Sequence, residues 1–84
     1  MDYRLLVSID VVEFVERLPV KTRRALRGAI HAIGHDPLGR SDAEDHDAIG
    51  RLMHIAIVGE YALMYWIDHA DRHIKILDIH ASDR

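Results

Sequence analysis

The chain has 84 residues, 49% of them apolar, which suits one domain with a single modest core over residues 1–84 and excludes a second domain. Its 11 basic and 14 acidic side chains give a formal net charge of -3, a balance that argues against a nucleic-acid-binding protein with a broad basic footprint. The sequence has no cysteine, no signal peptide and no apolar run of the ~20 residues that span a membrane, so we expect a cytoplasmic protein without disulfides or thiolate-bound metal.

The first half of the chain predicts one strand and two helices. Residues 3–7 (Y-R-L-L-V) form a short apolar run of strand type, and a short helix follows as far as Leu18. Pro19 prevents a simple continuation of that helix, and a second helix is predicted from Lys21 to His35. The apolar positions at helical spacing are Val11, Phe14, Val15 and Leu18 in the first helix and Leu26, Ala29, Ile30 and Ile33 in the second.

The second half predicts three strands. A polar, acidic loop at 39–50 precedes two runs rich in β-branched and aromatic residues, Arg51–Val58 and Tyr61–Ile67. Gly59 supplies the positive φ that a tight hairpin turn commonly needs, so these two strands should pair antiparallel. A third run, His73–Ile79, extends the hairpin to a meander. The result is an α+β fold in which an N-terminal strand and a two-helix hairpin join an antiparallel sheet, with the helices on one face.

Both faces of the central strands carry apolar side chains. Two short helices can cover only one face of the sheet, which leaves the other for a partner, either a second copy of the chain or a helix of another protein. The alternative is that the N-terminal segment or the acidic loop folds over that face. The residues predicted to meet a partner are Met53, Ile55, Ile57, Met64, Trp66, Leu77 and Ile79.

The hairpin sequence V-G-E-Y-A-L-M-Y-W-I-D, from Val58 to Asp68, resembles the RelE/ParE superfamily of bacterial toxin–antitoxin systems, whose hairpin typically reads R-V-G-D-Y-R-V-I-Y-E-I-D. The resemblance covers nearly the whole chain, because the predicted order of elements and the Leu-Pro and Asp-Pro pairs that flank the second helix also agree with it. The matching positions are Val58, Gly59, Tyr61, Tyr65, Ile67, Asp68 and His80.

The resemblance implies a toxin in a plasmid-stabilisation type of system, held inactive by a cognate antitoxin. RelE-like members cut messenger RNA on the ribosome without a metal, and ParE-like members poison DNA gyrase. The resemblance thus implies no cofactor, an antitoxin as partner, and the ribosome with its mRNA or gyrase as target; a homodimer is a further alternative. A non-catalytic relative that acts as a binding module is the competing interpretation.

Three positions depart from the family pattern. Where the family usually has arginine, this chain has Ile57 before Val-Gly, Ala62 after the tyrosine and Ala81 after His80. In a ribonuclease such cations hold phosphates and stabilise the charge that develops on phosphorus. The basic stripe of the second helix does not replace them, because a charged run on a helix is usually its solvated face.

Several polar residues could still carry chemistry. His80 could act as a general acid or base, and Glu60 as a base if the hairpin leans over a substrate. Tyr65 is a third catalytic candidate. The alternative is that it is an aromatic residue of the core. Arg51 and Arg84 could contact phosphate.

The seven histidines raise the question of a metal site. His31 and His35, spaced i, i+4 on the second helix, could face one ion with Asp36 adjacent. A structural site needs four ligands, and the sequence does not fix the other two. We therefore predict no metal site.

Overall fold

A computed structural model describes residues 3–82 of the chain. It has two helices and five strands, and within the described range neither helix is both long and apolar enough to cross a membrane. The elements in chain order are β1 (Arg4–Val7), α1 (Ile9–Glu16), α2 (Val20–His35), β2 (Ala43–His46), β3 (Leu52–Val58), β4 (Tyr61–Asp68) and β5 (His73–Ala81).

The strands form one sheet in the order β1-β5-β4-β3-β2. The predicted meander of β3, β4 and β5 is confirmed, and all three strands pair antiparallel. Gly59 lies in the β3–β4 turn with a φ of 58°, the left-handed region that glycine enters without a steric penalty. The predicted α+β fold is therefore confirmed in its main features.

Two strands pair in ways that the sequence analysis missed. β1 pairs parallel to β5, with Arg4 opposite His73, so the sheet is mixed rather than antiparallel. The segment predicted as an acidic loop contains β2, which pairs with β3 through Ala43 opposite Ile55. β2 extends the edge of the sheet, and it does not fold over a face as the alternative interpretation proposed.

Both helices pack on the same face of the sheet. α1 is shorter than predicted, because its last turn tightens: the backbone N–H groups of Arg17 and Leu18 donate to the carbonyls of Phe14 and Val15, three residues back. α2 continues through Gly34, where a Cβ would come within 3.2 Å of the Leu5 side chain. Glycine therefore allows α2 to approach β1 closely.

The core lies between the helices and one face of the sheet. Burial of each large apolar side chain contributes roughly 1.5–3 kcal/mol relative to exposure, so this layer dominates the stability of the fold. Its buried members are Val11, Val15, Leu26, Ile33, Ala56, Leu63, Tyr65, Ile74, Ile76 and Ile79.

A β-bulge in β5 changes the face on which its last residues lie. Tyr65 is opposite Ile76 and Met64 is opposite Asp78, so Leu77 is an extra residue without an opposite partner. Strict alternation had placed Ile79 on the face away from the helices. That placement was wrong: the extra residue turns Ile79 toward the core, where it pairs with Leu63 and is 7% exposed.

Candidate functional site on the open face of the sheet

The face of the sheet opposite the helices is the candidate site, and we call it the open face. Residues directly opposite one another on antiparallel strands share a face, so the register of β3, β4 and β5 defines its membership. The open face consists of Met53, Ile55 and Ile57 of β3, Ala62, Met64, Trp66 and Asp68 of β4, and His73, Lys75, Asp78 and His80 of β5. Met53 and Ala62 are buried by their neighbours on this face.

One row across the open face brings together Ile57 and Ala62, two of the three positions that depart from the family pattern, with His80, which matches it. The third departure, Ala81, is opposite Tyr61 and lies on the face of the helices. Ile57 is directly opposite Ala62, and Ala62 is directly opposite His80. Because side chains in such a row lie about 4.5–5.5 Å apart, the three residues form one local surface, which we call the central row. Two of its three members are apolar, so this surface carries no permanent positive charge.

The bulge in β5 is responsible for the position of His80. If Leu77 took part in regular alternation after the buried Ile76, His80 would face the helices. With the bulge, His80 lies on the open face, where its side chain is 55% exposed and its Nδ1 is 3.7 Å from an Asp78 carboxylate oxygen. An exposed imidazole beside a carboxylate can exchange protons with a bound molecule.

Glu60 does not join His80 in one site. Its carbonyl accepts a hydrogen bond from the Ser82 N–H at 2.7 Å, which holds the β3–β4 turn against the end of β5. However, Glu60 lines a hollow of about 310 Å³ between this turn and the start of α2, together with Lys21. The hollow lies on the helix side of the sheet, away from the central row.

Tyr65 is a core residue, so its proposed catalytic role was wrong. Its side chain is fully buried, on the face covered by the helices, and its hydroxyl donates to the Pro37 carbonyl at 2.5 Å. Its ring stacks on the buried His54, whose Nδ1 lies 2.9 Å from the Ser41 hydroxyl. Burial raises the pKa of Tyr65 to about 12, so this hydroxyl stays protonated at neutral pH.

Arg51 lies at the opposite end of the open face from the central row. Its guanidinium is 4.8 Å from the centre of the Trp66 ring, and its Nε donates to an Asp47 carboxylate oxygen at 2.6 Å. Burial raises the pKa of Asp47, but hydrogen bonds from the Arg51 side chain and from backbone N–H groups outweigh it, so the net pKa lies below the ordinary value. Arg84, the other predicted phosphate ligand, lies outside the described residues.

Lys75 is a cation of the open face that the sequence analysis missed. Its Nζ donates to Asp68 at 2.8 Å and lies 5.3 Å from the centre of the Trp66 ring, on which Arg51 also packs. The hydrogen bond from Lys75 lowers the pKa of Asp68, and the same bond raises the pKa of Lys75. The alternation of strand residues could have placed Lys75 beside Trp66, because both flank the polar turn between β4 and β5.

The open face therefore has two unlike parts. At one end, two cations flank Trp66, and each is already neutralised by an aspartate of the chain. At the other, Ile57 is 40% exposed beside Ala62. Of the residues predicted to meet a partner, all except Ile79 and the bulge residue Leu77 are members of this face. Within 3–82 no cluster of three or more histidine or acidic side chains is arranged to hold a metal ion.

Comparisons with known proteins give structural relatives only. No protein-family model matches the chain, and no curated protein sequence matches it. The chain is similar in structure to the archaeal RelE–RelB complex from Pyrococcus horikoshii, with a TM-score of 0.81 and 24% identity over 100% of this chain and 99% of that one.

Two further relatives agree. One is the toxin–antitoxin complex RelBE2 from Mycobacterium tuberculosis, with a TM-score of 0.78 and 18% identity over 98% of this chain and 100% of that one. The other is a mutant of the E. coli toxin RelE in the free state, with a TM-score of 0.71 and 14% identity over 99% of this chain and 86% of that one. All three share their fold with this chain over nearly its whole length.

Proposed function

We propose that this chain, which has the RelE toxin fold, is the toxin-like member of a toxin–antitoxin pair. It acts through contacts with other proteins and not through RNA cleavage. The observation that carries the proposal is the central row. Phosphoryl chemistry on RNA needs cations placed where charge develops, and Ile57 and Ala62 occupy that surface beside His80.

The rest of the open face supports the same proposal. Arg51 and Lys75 are the cations nearest to Trp66. To bind a phosphate, Arg51 would have to break its ion pair with Asp47, and Lys75 its ion pair with Asp68. The negative charges of Asp47 and Asp68 would then lie close to the phosphate and repel it. By contrast, the partly exposed Ile55, Ile57 and Met64 suit an apolar partner surface.

An antitoxin segment is the proposed occupant of this apolar part of the open face. The structural relatives from P. horikoshii and M. tuberculosis are toxin–antitoxin complexes, which supports this choice of partner over a second copy of the chain. DNA gyrase is the proposed target, because inhibition through protein contact does not require the missing arginines.

Growth of a bacterial culture after induced expression of the chain alone tests the mechanism. We expect arrest that His80→Ala leaves unchanged, intact messenger RNA in a primer-extension assay, and loss of supercoiling by purified gyrase when the chain is added. If arrest disappears in the His80→Ala variant and transcripts are cut in the wild-type culture, the chain is a ribonuclease and our proposal fails.

Binding of the antitoxin tests the surface. The first step is a search for a short reading frame next to the gene. If one is present, its product is co-expressed with the chain and the affinity is measured by calorimetry. Ile57→Arg should weaken the complex at least tenfold, because it places a charge in an apolar contact. Ile49→Arg is the matched control, since Ile49 is 76% exposed and lies off the open face. Equal affinity of both variants would exclude this face as the contact.

A ribonuclease that uses His80 is the second candidate function. The bulge that turns His80 onto the open face favours it, because bulges often re-aim a side chain next to an active site. Ile57→Arg also tests this candidate. If the absence of a cation is all that prevents RNA binding at the central row, the variant should bind RNA more tightly than the wild type. Its affinity should also depend more steeply on salt, with the slope of log K against log salt steeper by about 0.7.

A further inference from the structure

The exposed surface near the end of α2 holds two histidines that the proposed function does not use. His31 and His35 are one helical turn apart, and both side chains are exposed to solvent. Their Nε2 atoms are 3.1 Å apart, and the ring centres are 4.6 Å apart with the rings nearly perpendicular. The two Nε2 atoms are thus within hydrogen-bond distance of each other on the surface of α2.

This separation agrees with the spacing of two nitrogens on one metal ion. With Zn–N bonds of about 2.0–2.1 Å, two nitrogens lie about 2.9 Å apart at a right angle and about 3.4 Å apart at a tetrahedral angle. The observed value lies between the two.

The position in the helix also favours a cation. His31 and His35 are in the last turns of α2, where the unpaired carbonyls give the helix end a partial negative charge. Asp36, at the C-cap of α2, adds the negative charge of its carboxylate, which also favours a cation nearby. Arg27, one turn before His31, is held by the Glu16 carboxylate, which reduces its repulsion of a cation.

We propose that His31 and His35 form a two-nitrogen chelate for a divalent transition metal such as Zn²⁺, with water in the other coordination positions. Because within 3–82 no third histidine or acidic ligand converges on the pair, the site is open and exchanges its ion readily. This proposal is independent of the proposed function, since the pair lies on a helix and the central row lies on the opposite face of the sheet.

Two properties follow from the chelate. Once the first imidazole holds an ion, the second is present at a high effective concentration beside it. The pair therefore binds the ion about 10²–10⁴-fold more tightly than a single imidazole does. The i, i+4 geometry exists only in the helix, so Zn²⁺ binds the folded chain better than the unfolded one and raises the melting temperature.

Calorimetric titration of the full chain with ZnCl₂ at pH 7.5 tests the site. We expect one ion per chain, and at least tenfold weaker binding for both His31→Gln and His35→Gln. His46→Gln is the matched control, because His46 is also exposed but lies on β2, and its affinity should equal that of the wild type. Since all three side chains are on the surface, circular dichroism should show the same fold for each variant.

A further readout distinguishes the chelate from a merely structural histidine pair. Zn²⁺ should raise the melting temperature of the wild type but not of His31→Gln, because binding to the folded chain stabilises it. Absence of binding at 1 mM Zn²⁺ would overturn the proposal. Binding that the two substitutions leave unchanged would overturn it as well, since the ion would then lie elsewhere.

Discussion

The two faces of the sheet are held in different ways. The face under α1 and α2 is stabilised by packing, with Leu63, Ile74 and Ile76 fully buried against the helices. The open face is organised by charge at one end, where Arg51 and Lys75 flank Trp66, and has a partly exposed apolar surface at the other. Under the helices, the choice of residue is therefore limited by how well its side chain fits the packed core. On the open face, it is limited by the charged and aromatic side chains that it contacts. The open face is free to change its chemistry without loss of the fold.

Truncation of one aliphatic residue on each face gives the largest expected contrast. Leu63→Ala should lower the free energy of unfolding by about 2–5 kcal/mol, because it leaves a cavity in a packed core. Ile57→Ala, on the neighbouring strand, should cost less than about 1 kcal/mol, since Ile57 is 40% exposed. Urea denaturation measures both. Equal costs would mean that the open face is as tightly packed as the core.

The buried hydroxyl of Tyr65 gives a smaller effect on the covered face. Tyr65→Phe should cost about 1–3 kcal/mol, because the Pro37 carbonyl loses its donor inside the core. Tyr61→Phe, on the same strand and half-buried, is the matched control. A cost for Tyr65→Phe no greater than that of the control would show that water replaces the lost donor.

The same residue predicts a pH dependence at alkaline pH. Its pKa rises from an ordinary value of 10.0 to about 12 in the folded chain, so the folded state keeps the proton longer than the unfolded one. The stabilisation is complete below pH 10 and is lost as the pH rises from 10 to 12. In this range the wild type should lose stability faster than Tyr65→Phe, as thermal melts at a series of pH values would show.

Removal of a charge from the open face should have the smallest effect. The folded chain lowers the pKa of Asp68, chiefly through the hydrogen bond from Lys75, so Asp68 stabilises the fold above the ordinary value of 3.8 and loses this effect as the pH falls. The difference in melting temperature between wild type and Asp68→Asn should be largest at neutral pH and should shrink below pH 4.

The sequence predicts best the parts of the fold in which local pattern and tertiary environment agree. The hairpin of β3 and β4 has two nearly continuous apolar runs, rich in β-branched and aromatic residues, and a glycine at the turn, and both signals are local. By contrast, β2 reads A-E-D-H, is fully exposed, and forms only because the edge of β3 offers backbone partners. No periodicity in the sequence could predict it.

The candidate site shows the same division. The hairpin motif placed Ile57 and Ala62 correctly on one face, since alternation holds on β3 and β4. Strict alternation misplaced Ile79 because the extra residue Leu77 reverses the alternation after it. The adjacent apolar residues Ile76 and Leu77 mark this change of phase in the sequence. Tyr65 was misjudged because its partner, Pro37, is distant in sequence and enters the core only when α2 packs on the sheet.

The parallel pairing of β1 with β5 has a consequence for the synthesis of the protein. β1 lies at the edge of the sheet, and the strand next to it is β5, near the other end of the chain. Pairing of such distant segments is slow, and on a ribosome it cannot begin until β5 has left the exit tunnel. Until then the meander is incomplete and the helices lack most of the surface on which they pack. The nascent chain therefore acquires its folded surfaces only after β5 has emerged from the ribosome.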